Sequence, residues 1–539
     1  MPPQNIIPIV TPLRQTGAAP ILDKISHLLL RQGYRAYVVG GFVRDWLLGR
    51  ETEDIDIAID GDAIALAQKV AKAIEGKFVL LDELNGIARI VVVSKDEQRG
   101  SRENRGFPRV EWNLDFSSFL GNIESDLARR DFTLNAMAME LEQFIIAVSQ
   151  SPERSEGAAK QAQVELIDPF SGEKDLNGRI VRAVSKQVFE NDAARLLRAV
   201  RIAAELGFVI EPATEALIRG YSHYIFKVPG ERTREELLRL LRLPRAAYYL
   251  IYLDELGLLL ALIPEMSECK GVEQPRLHFW DVFDHSLQTV AAIEFLTREN
   301  ALEYGSADML AIAPWSDAID QHLSQDVSSG SNRKALLKLG GLLHDIAKPQ
   351  TKSVNDEGRA HFYGHTKEGA DMAVAILERL RFSNREINLV KSLVYHHLRP
   401  AQMANEELPT QRAIYRYFRD TVDAGIDILI LALADYLASR GPLVDMEEWK
   451  ERCQLMTYVL TEHDKQQVEV LPVKLIDGHD LMNVFGLSPG PLLGELLAMV
   501  REAQASGDLT TREEALASVR KELDKGQCQA GQCRGTAVN

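Results

Sequence analysis

The chain has 539 residues, 46% of them hydrophobic, which is enough for three or four domains that each bury a core. Its formal net charge of −16 excludes a protein that is coated in basic surface. No apolar run reaches membrane-spanning length, residues 1–20 lack a signal-peptide pattern, and four scattered cysteines do not make a disulfide framework. We therefore expect a cytoplasmic protein that does not associate with membranes.

The first 140 residues alternate between helix-like and strand-like patterns, with helices predicted over 21–31 and 63–74. Predicted strands cover 37–39, 54–59, 78–82, 88–93 and 110–116. A polar, arginine-bearing segment at 94–109 interrupts the strands and predicts a flexible loop. This alternation predicts a small α/β head at 1–140.

A glycine pair and two aspartates form the first candidate site. Gly40 and Gly41 allow the backbone to approach a phosphate, and Arg44 follows at a distance suited to pairing with its charge. Asp54 and Asp56 alternate with isoleucines on a predicted strand, so both carboxylates point to one face. Two carboxylates so placed can hold Mg²⁺, and this combination indicates nucleotidyl transfer.

The strand after the predicted loop offers a third carboxylate for that face. Asp115 is the candidate, although Glu111 has the same strand parity and either side chain could be a solvated surface group.

Beyond residue 140 the pattern becomes almost wholly helical. Residues 149–163 are rich in Ser, Glu, Ala and Gln and predict a disordered insertion. Residues 176–245 contain 13 basic and 8 acidic residues, and a local basic face of this kind suits RNA. Within this segment four charged residues recur every third position on a predicted helix, which on spacing alone is more typical of a solvated face. They are Asp192, Arg195, Arg198 and Arg201.

Four motifs occur in order along the first half of the chain: Gly40–Asp60, Asp126–Ala136, Asp192–Arg201 and Glu231–Leu237. Together they resemble the class II tRNA nucleotidyltransferase and bacterial poly(A) polymerase family, whose head is polymerase-β-like. The resemblance implies template-independent addition or repair of the 3′-terminal CCA of tRNA from CTP and ATP.

The resemblance also implies roles for individual residues. Asp54 and Asp56 would bind Mg²⁺ and act in catalysis together with Asp115. Asp192 and Arg195 would read the edge of the incoming base. The residues implied to bind the nucleotide are Gly41, Arg44, Arg130, Asp192, Arg195, Arg198 and Arg201. For Arg130, simple pairing of the two adjacent arginines with Asp126 and Asp131 is the structural alternative.

Histidines are concentrated in one later segment, since eight of the twelve lie between 278 and 397. The segment Leu342–Pro349 contains adjacent His344 and Asp345, which can both reach one ion, and His285 and Asp435 would complete a set of four ligands. His365 and His396 are candidates for a second metal position, whereas ordinary hydrogen bonding is expected of His278, His361 and His397.

This second set resembles the HD phosphohydrolase superfamily, whose pattern is a histidine, a His-Asp pair and a distant aspartate. The resemblance implies a divalent transition metal and hydrolysis of a phosphate ester. Plausible substrates are 2′,3′-cyclic phosphates, 2′-nucleotides or a 3′-terminal phosphate on damaged RNA, any of which would block nucleotide addition.

We expect an α+β chain in which a polymerase-β-like α/β head precedes helical neck, body, HD and tail domains. The predicted boundaries are head 1–140, neck 141–230, body 231–277, HD domain 278–440, tRNA-binding tail 441–525 and a disordered end at 526–539. The alternatives are a CC-adding enzyme, an A-adding enzyme, a poly(A) polymerase, or an HD phosphohydrolase whose head only binds RNA.

Overall fold

The computed structural model describes residues 5–8, 19–83, 86–93, 111–119, 121–149, 163–275, 278–299, 304–403, 408–468, 474–505 and 507–532. The chain divides into two compact units, Met1–Val228 with Leu256–Leu258, and Pro229–Glu255 with Leu259–Asn539. The loop predicted at 94–109 lies outside the described residues, as do residues 150–162 of the predicted insertion. The finer division into head, neck, body, HD domain and tail stays a prediction.

The first unit alternates strands and helices, in the order β1 (Asn5–Pro8), α1 (Ala19–Arg31), β2 (Ala36–Val39), α2 (Gly41–Leu47), β3 (Asp54–Asp60), α3 (Ala63–Ala73), β4 (Lys77–Asp82), β5 (Ile87–Val93), β6 (Glu111–Phe119), α4 (Ile123–Leu127), β7 (Ala138–Glu140), α5 (Leu141–Ser149), β8 (Gln163–Leu166), α6 (Gly172–Asn177), β9 (Ile180–Val181), α7 (Val188–Asn191), α8 (Arg195–Leu206), β10 (Val209–Ile210) and α9 (Pro212–Tyr221).

A mixed sheet in the order β4-β5-β6-β3-β2-β7 forms the centre of this unit. Strand β3 pairs antiparallel with β2 and parallel with β6. Its isoleucines Ile55, Ile57 and Ile59 are buried, and Asp54 at the start of the strand is exposed. The strand period of two therefore places the apolar residues in the core and the aspartates on the opposite face, as the sequence predicts.

The second unit is mainly helical, in the order α10 (Gly230–Leu241), α11 (Ala246–Glu255), α12 (Leu258–Leu262), α13 (Val282–Leu296), α14 (Ala307–Ile312), α15 (Asp317–Ser324), β11 (Asp326–Ser328), β12 (Ser331–Asn332), α16 (Arg333–Leu343), α17 (Lys348–Thr351), β13 (Lys352–Val354), β14 (Ala360–Phe362), α18 (His365–Arg379), α19 (Asn384–His396), α20 (Arg399–Met403), α21 (Gln411–Thr421), α22 (Gly425–Arg440), α23 (Met446–Val468), α24 (Gly478–Phe485), α25 (Pro491–Ala505) and α26 (Arg512–Gln532). The predicted α+β class, with an α/β head followed by helices, is confirmed.

Helix α13 packs against α16 and α22, and α19 packs against α16 and α18. Side-chain caps begin several of these helices, since Asp281, Asn332 and Ser383 each accept a hydrogen bond from a backbone N–H in the first turn. The histidines predicted to bind metal lie on or directly after these helices, so helix packing decides whether they meet.

The C-terminal helices α24, α25 and α26 form a small core of their own around Leu481, Leu496 and Val519. Helix α26 continues to Gln532, whereas the sequence predicts disorder from residue 526. Residues 512–525 already form the helix, and extending a formed helix gains one backbone hydrogen bond for each residue added, which accounts for the difference even with Gly526 and Gly531 in this stretch.

Candidate active sites

Three carboxylates lie at one edge of the central sheet. In the parallel ladder of β3 and β6, Asp56 stands opposite Asp115, and Asp54 stands opposite Asn113. The Asn113 side-chain amide donates a hydrogen bond of 3.0 Å to Asp54 Oδ1. The structure therefore brings together the three aspartates that the sequence singled out, and Asp115, not Glu111, is the residue opposite Asp56.

Asp115 is bound by an arginine that sequence reasoning missed. Arg89, directly across the antiparallel ladder on β5, donates from Nε and Nη2 to the two carboxylate oxygens of Asp115, both at 2.7 Å. This hydrogen bonding raises the pKa of Arg89. A bidentate pair of this kind orients the carboxylate. The only feature of the sequence that could have pointed to Arg89 was the presence of a basic residue within a predicted apolar strand.

The charge balance of the carboxylates favours a cation. Burial raises the pKa of Asp56, and the nearby carboxylates of Asp115 and Asp54 raise it further, while Arg130 and Arg198 oppose the shift. Carboxylates that repel one another in this way are stabilised by a bound cation, and oxygen ligands suit Mg²⁺. The residues present therefore fit the predicted magnesium site.

The glycine turn before α2 brings the backbone close to these groups. Gly40 has φ +70°, and a Cβ on it would lie 2.5 Å from Arg130 Nη1 and 2.9 Å from Asp56 Oδ2. A Cβ on Gly41 would make only ordinary contacts, with Asp56 and Arg44 each 3.7 Å away. Gly40 is thus the position that must lack a Cβ, because a Cβ there would collide with Arg130 and Asp56. The sequence prediction placed Gly41 in the nucleotide site.

Both predicted phosphate-binding arginines are held by neighbouring carboxylates. Arg44 donates to both oxygens of Asp45, at 2.9 and 2.7 Å, and to Asn135 Oδ1 at 2.9 Å. Arg130 contacts Asp126 at 3.2 Å. The pairing of Arg130 with Asp126 that the structural alternative proposed is therefore present. The Arg130 guanidinium nevertheless lies beside Gly40 with its charge toward Asp56, and the Arg44 guanidinium lies near Gly41.

The charged stripe does not lie on a single helix. Asp192 ends α7 in an extended conformation, and its Oδ1 accepts a hydrogen bond of 3.1 Å from the Ala194 N–H. Helix α8 begins only at Arg195. This corrects the prediction of one helix from Asp192, and the reason is that aspartate competes for backbone N–H groups near helix starts.

The three arginines of the stripe have different surroundings. Arg195 donates to the carbonyls of Arg129 and Arg130 at 2.9 and 3.3 Å, and Arg198 lies 3.4 Å from Asp131. Arg201 is 4% exposed and pairs with Glu205 at 2.5 Å. Arg195 and Arg198 therefore lie against the segment that bears Arg130, whereas Arg201 is directed into the interior of its unit.

The second site is a buried histidine and aspartate cluster in the helical unit. His285 on α13 lies 3.1 Å from His344 between their Nε2 atoms, and its Nε2 lies 3.1 Å from Asp435 Oδ1 on α22. His344 Nε2 lies 3.1 Å from Asp345 Oδ2. The four residues predicted to form a metal set are thus brought together, and His285 and His344 are fully buried.

A second group of possible ligands shares His344 and Asp345 and adds His397. The Nε2 atoms of His397 and His365 lie 3.7 and 3.4 Å from Asp345 Oδ1. His396, which the sequence prediction placed here, instead lines a neighbouring groove. Successive side chains at the end of α19 point about 100° apart, so only one of the two adjacent histidines can reach the cluster.

The imidazoles of the cluster are oriented by backbone carbonyls. The Nδ1 atoms of His344, His365 and His397 lie 2.8, 2.7 and 2.7 Å from the carbonyl oxygen three residues earlier. A carbonyl only accepts hydrogen bonds, so these Nδ1 atoms carry the hydrogen, and each ring in its neutral form presents an Nε2 lone pair to the cluster. This is the orientation in which histidines bind metals.

The electrostatics of the cluster also fit a cation. Asp345 has its pKa held well below the usual range, because His344 and Lys348 outweigh the effect of burial. Burial lowers the pKa of His397 to about 3, and neighbouring His344 adds to this effect. Burial also opposes protonation of His344, but Asp345 and Asp435 raise its pKa to about 10. Carboxylates that stabilise a proton on His344 Nε2 also stabilise a divalent ion that takes the place of this proton.

A cavity of about 240 Å³ opens beside this cluster. Asp345, His365, His397 and Asp435 line one part of it, and Lys348, Arg440 and Arg452 line another. Its wall is otherwise largely apolar. A candidate metal-binding cluster whose cavity is also lined by three cationic side chains has the charge distribution expected of a site for phosphate groups.

Comparison with known proteins identifies the domains in which the two sites lie. Family models match three segments: the Poly A polymerase head domain at 36–182, the probable RNA and SrmB-binding site of polymerase A at 207–270, and the HD domain at 282–440. The A-adding tRNA nucleotidyltransferase of Deinococcus radiodurans is 32% identical over 90% of this chain and 95% of its own length. The chain belongs to the tRNA nucleotidyltransferase and poly(A) polymerase family. The predicted family is thereby confirmed.

Other members of this family differ in how much of the chain they match. The CC-adding tRNA nucleotidyltransferase of Thermus thermophilus is 31% identical over 89% of this chain and 92% of its own length. The CCA-adding enzyme of Lactiplantibacillus plantarum is 33% identical, but over 43% of this chain and 50% of its own length. The prediction of a nucleotidyltransferase is confirmed by these relatives.

Solved structures of the family share the fold. A CCA-adding enzyme with ATP has a TM-score of 0.60 at 20% identity and covers 97% of this chain and 98% of its own. The Thermotoga maritima CCA-adding enzyme with tRNA has a TM-score of 0.55 at 21% identity, with coverage of 97% and 100%. Within the described residues of this family member, no helix has the length and hydropathy that a membrane span requires.

Proposed function

We propose that this chain adds the 3′-terminal CCA to tRNA, or restores it, from CTP and ATP in the cytoplasm. The observation that carries the proposal is the trio of Asp54, Asp56 and Asp115 beside the Gly40 turn. These carboxylates would hold Mg²⁺, which supplies charge neutralisation for the triphosphate and a lower pKa for the attacking 3′-hydroxyl. Buried, reduced Cys269 and Cys453 are consistent with a cytoplasmic protein.

The arginines and Asp192 would perform the remaining steps. Arg44 and Arg130 face the Gly40 turn and would exchange part of their carboxylate contacts for the triphosphate, because a phosphate accepts the same forked hydrogen bonds. Asp192 would accept from the exocyclic amino group of cytosine or adenine, and Arg195 would donate to a ring nitrogen or carbonyl. The burial of Arg201 supports a packing role for it in preference to direct nucleotide contact.

A partial addition is the second candidate. The relatives named above that match nearly the whole chain are an A-adding and a CC-adding enzyme, whereas the CCA-adding relative matches less than half of it. Such enzymes would share the head chemistry and differ in which nucleotide is accepted and where addition stops.

The deciding experiment is incorporation of labelled CTP and ATP, separately and together, into tRNAs that end at the discriminator base, at C and at CC. Addition that stops at CCA is the expected result. Addition of CC alone, of A alone or of a long A tail would each select another member of the family, and no incorporation with Mg²⁺ present would favour a head that only binds RNA.

We also propose that the histidine cluster binds a divalent transition metal and hydrolyses phosphate esters. His285, His344, Asp345 and Asp435 would hold one ion, with His365 and His397 available for a second. The metal would supply an activated water. Lys348, Arg440 and Arg452 would bind the phosphate, because they line the same cavity. Metal analysis of the purified protein and hydrolysis of p-nitrophenyl phosphate test this function, and absence of both would refute it.

A further inference from the structure

A polar groove of about 770 Å³ lies next to the histidine cavity. We call it the tyrosine groove, and the lining residues used below are Tyr363, Tyr395, His396, Arg399, Gln402 and Asp420. His365 and Leu398 line both the groove and the cavity, so the two spaces adjoin. The groove and the histidine cluster are therefore neighbours, with His365 between them.

Two tyrosine rings of this groove are exposed to solvent. Tyr363 is 78% exposed and Tyr395 is 46% exposed. The ring of Tyr363 stacks on His361 with centroids 5.3 Å apart and planes 7° apart, and Tyr395 meets His396 edge-on at 4.8 Å. Exposed aromatic rings that are each supported on one side by another ring are suited to stacking on unpaired bases.

The groove also offers hydrogen-bond donors for a phosphate backbone. Arg399 contributes a guanidinium group, held by Asp420 at 2.6 Å and still partly exposed. Helix α18 begins at His365 on the edge of the groove, so its partial positive end lies there as well. Gln402 is exposed and adds an amide that can donate or accept hydrogen bonds.

We propose that the tyrosine groove binds the last unpaired nucleotides of an RNA 3′ end and leads the terminal phosphate into the histidine cavity. This inference rests on the proposed hydrolase function of the cavity. Three features favour RNA over a peptide, which would need an apolar recess for its anchoring side chains. They are the neighbouring cavity, the exposed tyrosine rings, and the donors of Arg399 and Gln402. The substrate of the cluster is thus a polynucleotide end in preference to a free mononucleotide.

The kinetic test compares a 3′-phosphorylated trinucleotide with p-nitrophenyl phosphate as substrates of the full chain. In each of the single variants Tyr363→Ala and Tyr395→Ala, we expect KM for the trinucleotide to rise about 5- to 150-fold, because stacking of one base is worth ~1–3 kcal/mol. Kinetics with p-nitrophenyl phosphate should stay unchanged. The matched control is Tyr248→Ala, which removes a tyrosine of 54% exposure that does not line the groove.

An unchanged trinucleotide KM, or an equal loss with both substrates, would overturn the groove proposal while leaving the hydrolase function standing. A wild-type protein inactive on both substrates would refute the hydrolase function instead. In that case photocrosslinking still tests the groove, with a 3′-phosphorylated trinucleotide that carries 4-thiouridine at its end. Crosslinks that map to Tyr363 or Tyr395 would support RNA binding, and crosslinks confined to the first unit, or none, would overturn it.

Discussion

The two sites of this chain are built in opposite ways. The head site consists of carboxylates two residues apart on β3 with a partner on β6, and Asp54 remains exposed. The histidine cluster gathers side chains from several helices, and His285 and His344 are fully buried. The two-residue period of a strand places the aspartates of the head site on one face. Only the packing of α13, α16, α19 and α22 brings the residues of the histidine cluster together.

The groups that surround and orient the ligands also differ between the two sites. At the head, Arg89 and Arg130 are fixed cations around oxygen ligands of which Asp54 is exposed, which suits a metal that exchanges with its nucleotide. In the cluster, backbone carbonyls orient buried imidazoles, which suits a metal that stays bound. From this comparison we expect a metal that exchanges at the strand-supported site and a metal that stays bound at the helix-supported site.

The largest effect is expected for Asp56→Ala. Loss of the central carboxylate should reduce nucleotide incorporation by at least ~10³-fold, since charge stabilisation in the site is lost. Hydrolysis of p-nitrophenyl phosphate should be retained. The control Asp60→Ala removes an exposed acid at the other end of β3 and should change incorporation little. Loss of both activities in a folded Asp56→Ala protein would contradict separate sites.

The reciprocal variant is His344→Ala. His344 belongs to both possible ligand groups, so bound metal and phosphate hydrolysis should fall together, the latter by about 10²- to 10³-fold. CTP and ATP incorporation should remain within about twofold of wild type. The measurements are the metal content after dialysis, the two activities and the melting temperature, and a normal metal content would contradict the assignment.

A smaller effect is expected for Gly40→Ala, which tests the close approach at the head. The new Cβ would displace Arg130 and Asp56, and a misplacement of this size costs about 10²-fold in rate. The matched control is Gly33→Ala, because Gly33 also has positive φ (+75°) but no heavy atom within 4 Å of an added Cβ. Both variants should lose about 1 kcal/mol of stability to backbone strain, and only Gly40→Ala should lose activity. Equal activities would show that the turn is merely structural.

The smallest effect is expected when variants of the adjacent residues His396 and His397 are compared for metal affinity. His397→Ala should weaken metal affinity by about 10- to 100-fold, while His396→Ala should leave it unchanged, because only His397 reaches Asp345. Titration of the metal-free protein with Zn²⁺ or Co²⁺ measures this difference directly. Weakening by His396→Ala alone would restore the original sequence prediction.

Much of both sites could be predicted from local patterns. Alternation in Asp54–Asp60 indicates the shared face of two aspartates, and the adjacent His344 and Asp345 indicate a metal ligand pair wherever they fold. The resemblance to known families then linked His285 and Asp435, which lie 150 residues apart. Roles in catalysis and nucleotide binding stay predictions until the variants above are measured.

Other features depended on contacts that no local pattern encodes. The pairing of Arg89 with Asp115 follows from strand register, and the choice of His397 over His396 follows from the exact phase at which α19 meets its neighbours. A shift of one residue in register or helix phase would change each of these outcomes.

The amino-acid sequence by itself determined the class of each site, because ligand chemistry and residue periodicity are local properties of the chain. It also determined the order of an α/β head before a helical remainder. Only the tertiary structure decided which glycine must lack a Cβ, which histidine joins the cluster and which arginine orients Asp115. These are distances between segments far apart in the chain, and they arise only when register and helix packing bring those segments together.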